Sequence, residues 1–211
     1  MGLPTIQPYE LPSVAELPQS RGPWKVETGR AALLIHDMQN YFVRPFVADT
    51  APLGPATANI ALLAAHCRKK GVPVFYTAQN GDQDRRDRGL QADLWGPGMG
   101  SAQADQGIIA PLAPHGQDFV LVKHRYSAFQ RSNLETLMRV RGRDQLIVTG
   151  IYAHIGCMMT AAEAFQRDIE AFFAADALAD FSREKHDLAL DWVAGRCGVV
   201  TSADQLIAAL V

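Results

Sequence analysis

Polar side chains follow the ends of four predicted strands. Asp37 ends the first apolar run and Lys123 ends the third, while Gln79 follows the second and residues 152–156 follow the fourth. Because the carboxyl ends of parallel strands open into one crevice, we expect these groups to converge there. Taken singly, each has an ordinary explanation as a helix cap, a solvated charge or a core aromatic. Together they predict a site that brings a carboxylate and an ammonium group to a small ligand.

Motifs typical of several other chemistries are missing from the sequence. HDMQNYF, which follows the first strand, contains no GxGxxG, and no GxxxxGK[ST] occurs, which argues against nucleotide binding. There is no GxSxG serine elbow. The histidines are scattered without helical metal-ligand spacing, so the sequence predicts no metal site.

Buried apolar runs alternate with amphipathic segments along the chain. We predict six strands, at 31–37, 72–78, 119–123, 145–150, 171–175 and 199–201. Helices are predicted at 57–70, 156–167 and 182–194, with capping boxes opening two more at Ser132 (with Glu135) and Ser202 (with Gln205). This alternation predicts a three-layer α/β/α fold around a parallel sheet. Residues 79–107 are too long for an ordinary connection and are expected to be functional.

Composition limits the partners and the compartment. The 211 residues carry a net charge of -2 without a basic cluster, which argues against nucleic acid or an anionic membrane as partner. No apolar run approaches the ~20 residues of a membrane span, and the first 20 residues do not resemble a signal peptide. Three widely spaced cysteines predict reduced thiols. We expect a cytoplasmic protein with a small-molecule substrate.

The chain length predicts one domain with an N-terminal extension. Residues 1–30 contain five prolines and little periodicity, so we interpret them as an arm packed on a domain at 31–211, with a short turn near Ser13.

Several motifs together are specific enough to indicate a family. They are HDMQNYF at 36–42, YTAQ at 76–79, WGPGM at 95–99, RYSAF at 125–129, GRDQL at 142–146, TGIYAHIGC at 149–157 and AADALADFS at 174–182. From about residue 3 onward the chain resembles the isochorismatases of the isochorismatase-like (cysteine hydrolase) superfamily. The motifs are similar to those of isochorismatases of siderophore pathways and of the aminodeoxyisochorismate hydrolase of phenazine synthesis.

The resemblance implies both a fold and a reaction. The implied fold is a Rossmann-like, six-stranded parallel sheet with helices on both sides, in a homodimer or larger homo-oligomer. The implied reaction is hydrolysis of the vinyl ether of isochorismate, without a cofactor, to 2,3-dihydro-2,3-dihydroxybenzoate and pyruvate. Some relatives carry an aryl carrier domain, so a separate aryl carrier protein is a possible partner of this chain.

One position departs from the wider superfamily. Its members have a nucleophilic cysteine at the position that Gly156 occupies here, and Cys157 follows one residue later. One helical step rotates a side chain by about 100°, so we expect Cys157 to face the core. Vinyl ether hydrolysis needs an acid and no thiol, and Asp37 matches the family's acid.

The resemblance also implies the remaining site residues. Catalytic roles fall on Asp37, Lys123 and Gly156, whose backbone N–H is expected at a helix start. Substrate contacts fall on Gln79, Arg88 and Tyr152, with Phe42, Trp95 and Tyr126 as aromatic walls, and the family has a cis peptide bond next to the Tyr152 position.

The expected ion pair creates a difficulty for the acid. Lys123 should lower the pKa of Asp37, which is the wrong direction for an acid at neutral pH. Our hypothesis is that the two substrate carboxylates raise this pKa on binding.

Three alternatives stay open at this point. The first is hydrolysis of the 2-amino analogue of isochorismate to dihydrohydroxyanthranilate. The second is a nicotinamidase-like amidase that depends on Cys157. The third is a non-enzymatic scaffold recruited to a larger synthase.

Overall fold

The computed structural model describes residues 4–211, which form a six-stranded parallel sheet between two layers of helices. The strands are β1 (Ala31–His36), β2 (Val74–Ala78), β3 (Phe119–Val122), β4 (Gln145–Ile151), β5 (Glu170–Ala179) and β6 (Gly198–Thr201). Their order in the sheet is β3-β2-β1-β4-β5-β6, and every pair is parallel. The predicted fold class is confirmed.

The helices differ widely in length. They are α1 (Asn40–Val43), α2 (Leu53–Lys69), α3 (Arg85–Arg88), α4 (Gln91–Trp95), α5 (Gln103–Gln106), α6 (Leu134–Arg139), α7 (Met158–Gln166), α8 (Arg183–Arg196) and α9 (Ala203–Ala209). Short 3-10 turns occur at Val14–Glu16 and Ala110–Leu112, and a π-helical turn at Ala153–Cys157 leads into α7. The three helices α3–α5 all lie in the segment between β2 and β3 that the sequence marks as unusually long.

Helices cover both faces of the sheet, which explains the unbroken apolar run of β1. Leu33 and Ile35 belong to the core beneath α2 and α9, and Leu34 belongs to the core beneath α6, α7 and α8. All six residues of β1 are buried, as expected for a central strand of a covered parallel sheet.

The strand order places the functional end of the sheet. The chain moves outward from β1 to β2 and β3, then returns to pair β4 with the other side of β1. His36 at the end of β1 lies opposite Gly150 in β4. This reversal is the switch point at which open α/β sheets bind ligands, and Asp37 and Tyr152 lie directly beyond it.

The N-terminal residues run along the domain. Ile6 is buried and its N–H donates to the Pro45 carbonyl (2.9 Å), while Tyr9 contacts the end of β5. Ser13 and Glu16 form a capping box at the expected short turn. The division into an arm and a domain stays a prediction.

Three sequence predictions are wrong in detail. The Ser132 box does not form: Ser132 Oγ donates to the Ala128 carbonyl, and the helix begins at Leu134 after an Asn133 cap. The helix predicted at 156–167 begins earlier, with the π turn at Ala153–Cys157, so Gly156 lies inside a turn rather than at a helix start. Strand β5 runs past the predicted end at residue 175 to Ala179. The box at Ser202 does form.

Membrane insertion by a helix has no support in the structure. Among residues 4–211, none of the helices combines the length and apolar character needed to cross a bilayer.

Candidate active site

Asp37 is held at the floor of a crevice by contacts from two neighbouring strands. Its Oδ1 accepts a hydrogen bond from Thr77 Oγ1 (2.8 Å), and its Oδ2 lies 2.7 Å from Lys123 Nζ. The backbone of Asp37 has a φ of 53°, a left-handed conformation that costs a non-glycine residue about 1–3 kcal/mol. This turn directly after β1 directs the carboxylate into the crevice.

The Asp37–Lys123 ion pair is almost completely withdrawn from water. Asp37 is 6% exposed and Lys123 is 2% exposed. Burial alone would raise the pKa of Asp37, but positive charge at His36 and Lys123, with the hydrogen bonds from Lys123 and Thr77, outweighs burial and holds the pKa below its ordinary value. Burial also lowers the pKa of His36, so we assign the main effect on Asp37 to Lys123. Asp37 is therefore ionised in the unliganded site at neutral pH.

Gly156 faces the His36 ring so closely that it leaves no space for a side chain. A Cβ at position 156 would lie 2.2 Å from His36 Cε1, well inside van der Waals contact. The ring is fully buried, with Nδ1 2.9 Å from the Ile151 carbonyl oxygen and Nε2 3.2 Å from the Tyr126 carbonyl oxygen. A nucleophilic side chain at this position would have to displace that ring.

Cys157 faces away from the crevice, as the sequence predicts. It is fully buried in the core beneath α6–α8, and its Sγ lies 3.9 Å from the Thr149 carbonyl oxygen. Burial raises the pKa of the thiol well above its ordinary value, so a thiolate is disfavoured.

Tyr152 forms one wall immediately beyond β4. The Ile151–Tyr152 peptide bond is cis, as the family resemblance implies. The Tyr152 hydroxyl donates to the Phe42 carbonyl (2.6 Å), and burial raises its pKa. Its ring packs 4.4 Å from the Phe181 ring, so both aromatics face the same cavity.

Arg88 comes from the segment between β2 and β3 and is 6% exposed. Its Nε donates to the Gly96 carbonyl (2.6 Å), and a Cβ at Gly98 would lie 2.5 Å from its Nη1. Within residues 4–211 the guanidinium forms no ion pair, and burial lowers its pKa. A buried cation without a carboxylate is suited to receive an anionic ligand group.

The same cavity is lined by all nine predicted site residues. They are Phe42, Asp37, Gln79, Arg88, Trp95, Lys123, Tyr126, Tyr152 and Gly156, around a volume of about 650 Å³ including its open mouth. Trp95 Nε1 donates to the Tyr126 hydroxyl (2.7 Å), which joins two of the aromatic walls. The catalytic and binding roles of these residues stay predictions.

A comparison with protein-family models matches residues 31–205 to the isochorismatase domain. The chain belongs to the isochorismatase family. It is therefore a hydrolase whose relatives include both siderophore and phenazine biosynthesis proteins.

Three similar curated proteins span nearly all of this chain. The isochorismatase of Bacillus subtilis (strain 168) is 53% identical over 98% of this chain and 66% of its own length. Enterobactin synthase component B of Escherichia coli (strain K12) is 49% identical over 99% of this chain and 73% of its own length. The chain thus spans about two thirds of the length of the first of these. The phenazine biosynthesis protein PhzD1 of Pseudomonas aeruginosa is 44% identical over 98% of this chain and 99% of its own length.

Solved structures of the family share the fold at lower identity. A cysteine hydrolase from Pseudomonas syringae pv. phaseolicola 1448A superposes with a TM-score of 0.80 at 25% identity, over 90% of this chain and 96% of that one. An isochorismatase family protein from Burkholderia thailandensis superposes with a TM-score of 0.78 at 26% identity, over 92% of this chain and 98% of that one.

Sequence reasoning missed six residues that line the isochorismatase-family cavity. They are His36, Tyr41, Gln91, Ile151, Ile155 and Phe181. Five of the six lie within the quoted motifs: His36 and Tyr41 in HDMQNYF, Ile151 and Ile155 in TGIYAHIGC, and Phe181 in AADALADFS. Three of the motifs therefore already contained the signal. Among residues 4–211 no group of three or more His, Cys, Asp or Glu side chains is placed to hold a metal ion.

Proposed function

We propose that this chain hydrolyses the vinyl ether of isochorismate to 2,3-dihydro-2,3-dihydroxybenzoate and pyruvate, with Asp37 as general acid. One observation carries the proposal: a buried carboxylate paired with Lys123 lies beside Gly156, where the His36 ring excludes a side-chain nucleophile. A site with an acid and no nucleophile suits a vinyl ether, which is cleaved after protonation of carbon.

The proposed reaction balances with water as the only co-reactant. Protonated Asp37 transfers its proton to the terminal CH2 carbon, which becomes a methyl group and leaves an oxocarbenium ion. The carboxylate of Asp37 then stabilises this cation. Water adds to the cationic carbon and returns a proton to Asp37. The resulting hemiketal breaks its bond to the ring oxygen, releasing pyruvate and the ring diol.

Substrate binding is assigned to groups around this acid. The guanidinium of Arg88, which forms no ion pair among residues 4–211, provides paired donors for one substrate carboxylate. The rings of Trp95, Tyr126 and Tyr152 enclose an apolar space for the cyclohexadiene ring. Gln79 provides a polar contact at the end of β2.

Binding must also supply the proton that the free site lacks. Asp37 is ionised in the unliganded site because Lys123 holds its pKa low. Two substrate carboxylates in the cavity add negative charge near Asp37, which raises its proton affinity. Substrate binding would thus promote protonation of Asp37, the general acid that the reaction needs.

The 2-amino analogue of isochorismate is the second candidate, because the phenazine protein is 44% identical over almost its full length. The cavity lining favours the hydroxyl substrate. Asp37 is the one carboxylate among the lining residues described, and it is already paired with Lys123. An ammonium group on the substrate would therefore find no separate acidic partner.

Parallel assays test this proposal directly. Pyruvate release is measured from isochorismate and from the 2-amino analogue at matched concentrations, and the ring product is identified by mass spectrometry. We expect a higher kcat/KM for isochorismate. A higher value for the analogue would assign the second substrate, and the absence of pyruvate from both would refute the proposed reaction.

A further inference from the structure

Gln39 is a buried amide with every donor in use, two residues after Asp37. It is 1% exposed. Its Oε1 accepts the Gln79 N–H (2.7 Å), and its Nε2 donates to the Gln79 carbonyl (2.9 Å) and to the Gln106 carbonyl (2.8 Å). An amide has two N–H donors, so both are satisfied by backbone.

These bonds hold both ends of one segment. Residues 80–106 follow Gln79 at the end of β2 and come back beside it at Gln106, and they carry Arg88 and Trp95 over the cavity. Two further bonds close the base: Gly81 N–H to Gln106 Oε1 (2.9 Å) and Asn40 N–H to the Gly107 carbonyl (2.9 Å). The segment is therefore a closed loop whose two ends meet on the Gln39 side chain.

The Gln39 backbone also connects this loop to the acid. Its N–H donates to the Asp37 carbonyl (2.8 Å), so the peptide that positions the acid and the amide that holds the loop belong to the same turn. We propose that Gln39 is a positioning residue that fixes the substrate-binding loop, and with it Arg88, over Asp37. The kinetic part of this proposal rests on the function proposed above, whereas the structural part does not.

The bond pattern requires an amide of this length. Leucine at position 39 would leave two half-buried carbonyls and one half-buried N–H without their partner, which would destabilise the closed loop. An ionised glutamate would direct a carboxylate at two carbonyl oxygens. Asparagine is one methylene shorter and would not span both Gln79 and Gln106.

Gln83 provides a matched control within the same loop. Its amide nitrogen and oxygen are buried, and neither has a hydrogen-bond partner in the described part of the chain. Gln83→Leu therefore removes the same chemical group at no cost in hydrogen bonds, whereas Gln39→Leu removes three bonds.

Limited digestion with trypsin tests the structural part without any substrate. The side chains of Arg85 (59% exposed) and Arg86 (91%) offer cleavage sites on the loop, and Lys69 and Lys70 at the C-terminal end of α2 provide an internal reference outside it. We expect Gln39→Leu to be cut about tenfold faster at the loop sites, as the loss of roughly 1.4 kcal/mol from the closed state predicts, with reference sites unchanged. Gln83→Leu should match the wild type.

The opposite results would overturn the proposal. Equal loop cleavage in Gln39→Leu and the wild type would show that the amide does not hold the loop. Equal acceleration at the loop and reference sites would show general unfolding instead of local release.

A double-mutant cycle tests the kinetic part. If Gln39 acts by positioning Arg88, Gln39→Leu should raise KM about tenfold in the wild-type background and leave KM nearly unchanged once Arg88 is alanine. Additive effects would contradict this coupling. If the wild type releases no pyruvate from either substrate, the proposed function fails while the trypsin result still decides whether Gln39 holds the loop.

Discussion

The floor of the cavity and the loop above it are built in different ways. Asp37 and Lys123 follow directly from strands of the sheet and are buried with fixed partners. The loop at 80–106 contains three helices of four or five residues and exposes Leu90 (79%) and Leu94 (65%), while burying Arg88. Under the proposed function, the sheet positions the general acid and the lightly packed loop positions the substrate-binding residues. Changes in the floor should lower kcat, and changes in the loop should raise KM.

The largest expected effect follows from removing the acid. Asp37→Asn keeps an acceptor for Thr77 but cannot supply the proton, so kcat should fall by about 10²–10⁴-fold, the usual contribution of a general acid. Steady-state assays of pyruvate release measure this. A retained kcat would remove Asp37 from the chemistry.

A second buried carboxylate provides the control for that variant. Asp118 pairs with Arg68 (2.7 Å) next to the opposite end of the sheet, with its side chain 3% exposed. Asp118→Asn should lower the melting temperature and leave kcat unchanged.

Cys157→Ala should also retain kcat, because the thiol faces the core, and a loss of kcat in this variant would favour the amidase alternative.

The Gly156–His36 contact predicts the next largest effect. Gly156→Ala forces a methyl group into the His36 ring, so the ring and the carbonyls it contacts must shift. A displacement of about 1 Å near the acid is expected to lower kcat by 10–100-fold. Gly195→Ala near the end of α8 meets open space and should raise stability by about 0.5–1 kcal/mol. Normal kcat in Gly156→Ala would show that the floor tolerates movement.

A loop substitution should act on binding instead. Arg88→Lys keeps the charge but loses the paired N–H geometry, so KM should rise about tenfold with little change in kcat. Arg86→Lys, whose exposed side chain contacts only the adjacent Asp84 among its described partners, should behave as the wild type. A fall in kcat without a rise in KM for Arg88→Lys would contradict the expectation that loop residues act on substrate binding.

The smallest effect is a shift between two pH profiles. The pKa of Asp37 is lowered in the free site, so the protonated form, and with it kcat/KM, should decline as pH rises through the acidic range. If bound substrate raises this pKa, as proposed, kcat should keep its plateau to a higher pH. Identical apparent pKa values in the two profiles would contradict substrate-assisted protonation.

The sequence predicts the floor well because its residues follow strands with a clear local pattern. Asp37 and Lys123 come directly after apolar runs, and both lie where the parallel-sheet rule places them. The loop residue Arg88 was assigned from the family resemblance, since no local periodicity positions it.

Other features depend on contacts that no local pattern contains. The sequence pattern predicts that β5 ends before Asp176, but that carboxylate is satisfied by the Ala203 N–H (2.7 Å), so the strand continues to Ala179 and delivers Phe181 to the cavity. Ser132 matches a capping box in sequence, yet its hydroxyl bonds to the Ala128 carbonyl instead.

Long-range contacts explain why the sequence analysis did not identify Gln39 and His36 as parts of the site. Gln39 bonds to Gln79 and Gln106, which lie 40 and 67 positions further along the chain. His36 meets Gly156 only after the sheet has formed. The sequence shows a polar residue at or just beyond the end of β1 in each case, but it does not show which distant groups that residue will contact.

Following the oxygen of water through the reaction tests acid-initiated hydrolysis most directly. The wild-type protein and isochorismate are incubated in water labelled with heavy oxygen, and the ring product is examined by mass spectrometry. If Asp37 protonates the CH2 carbon and water adds to the vinyl ether carbon, the ring keeps its original oxygen and the diol is unlabelled. Label in the ring diol would show attack at the ring carbon and would contradict this mechanism.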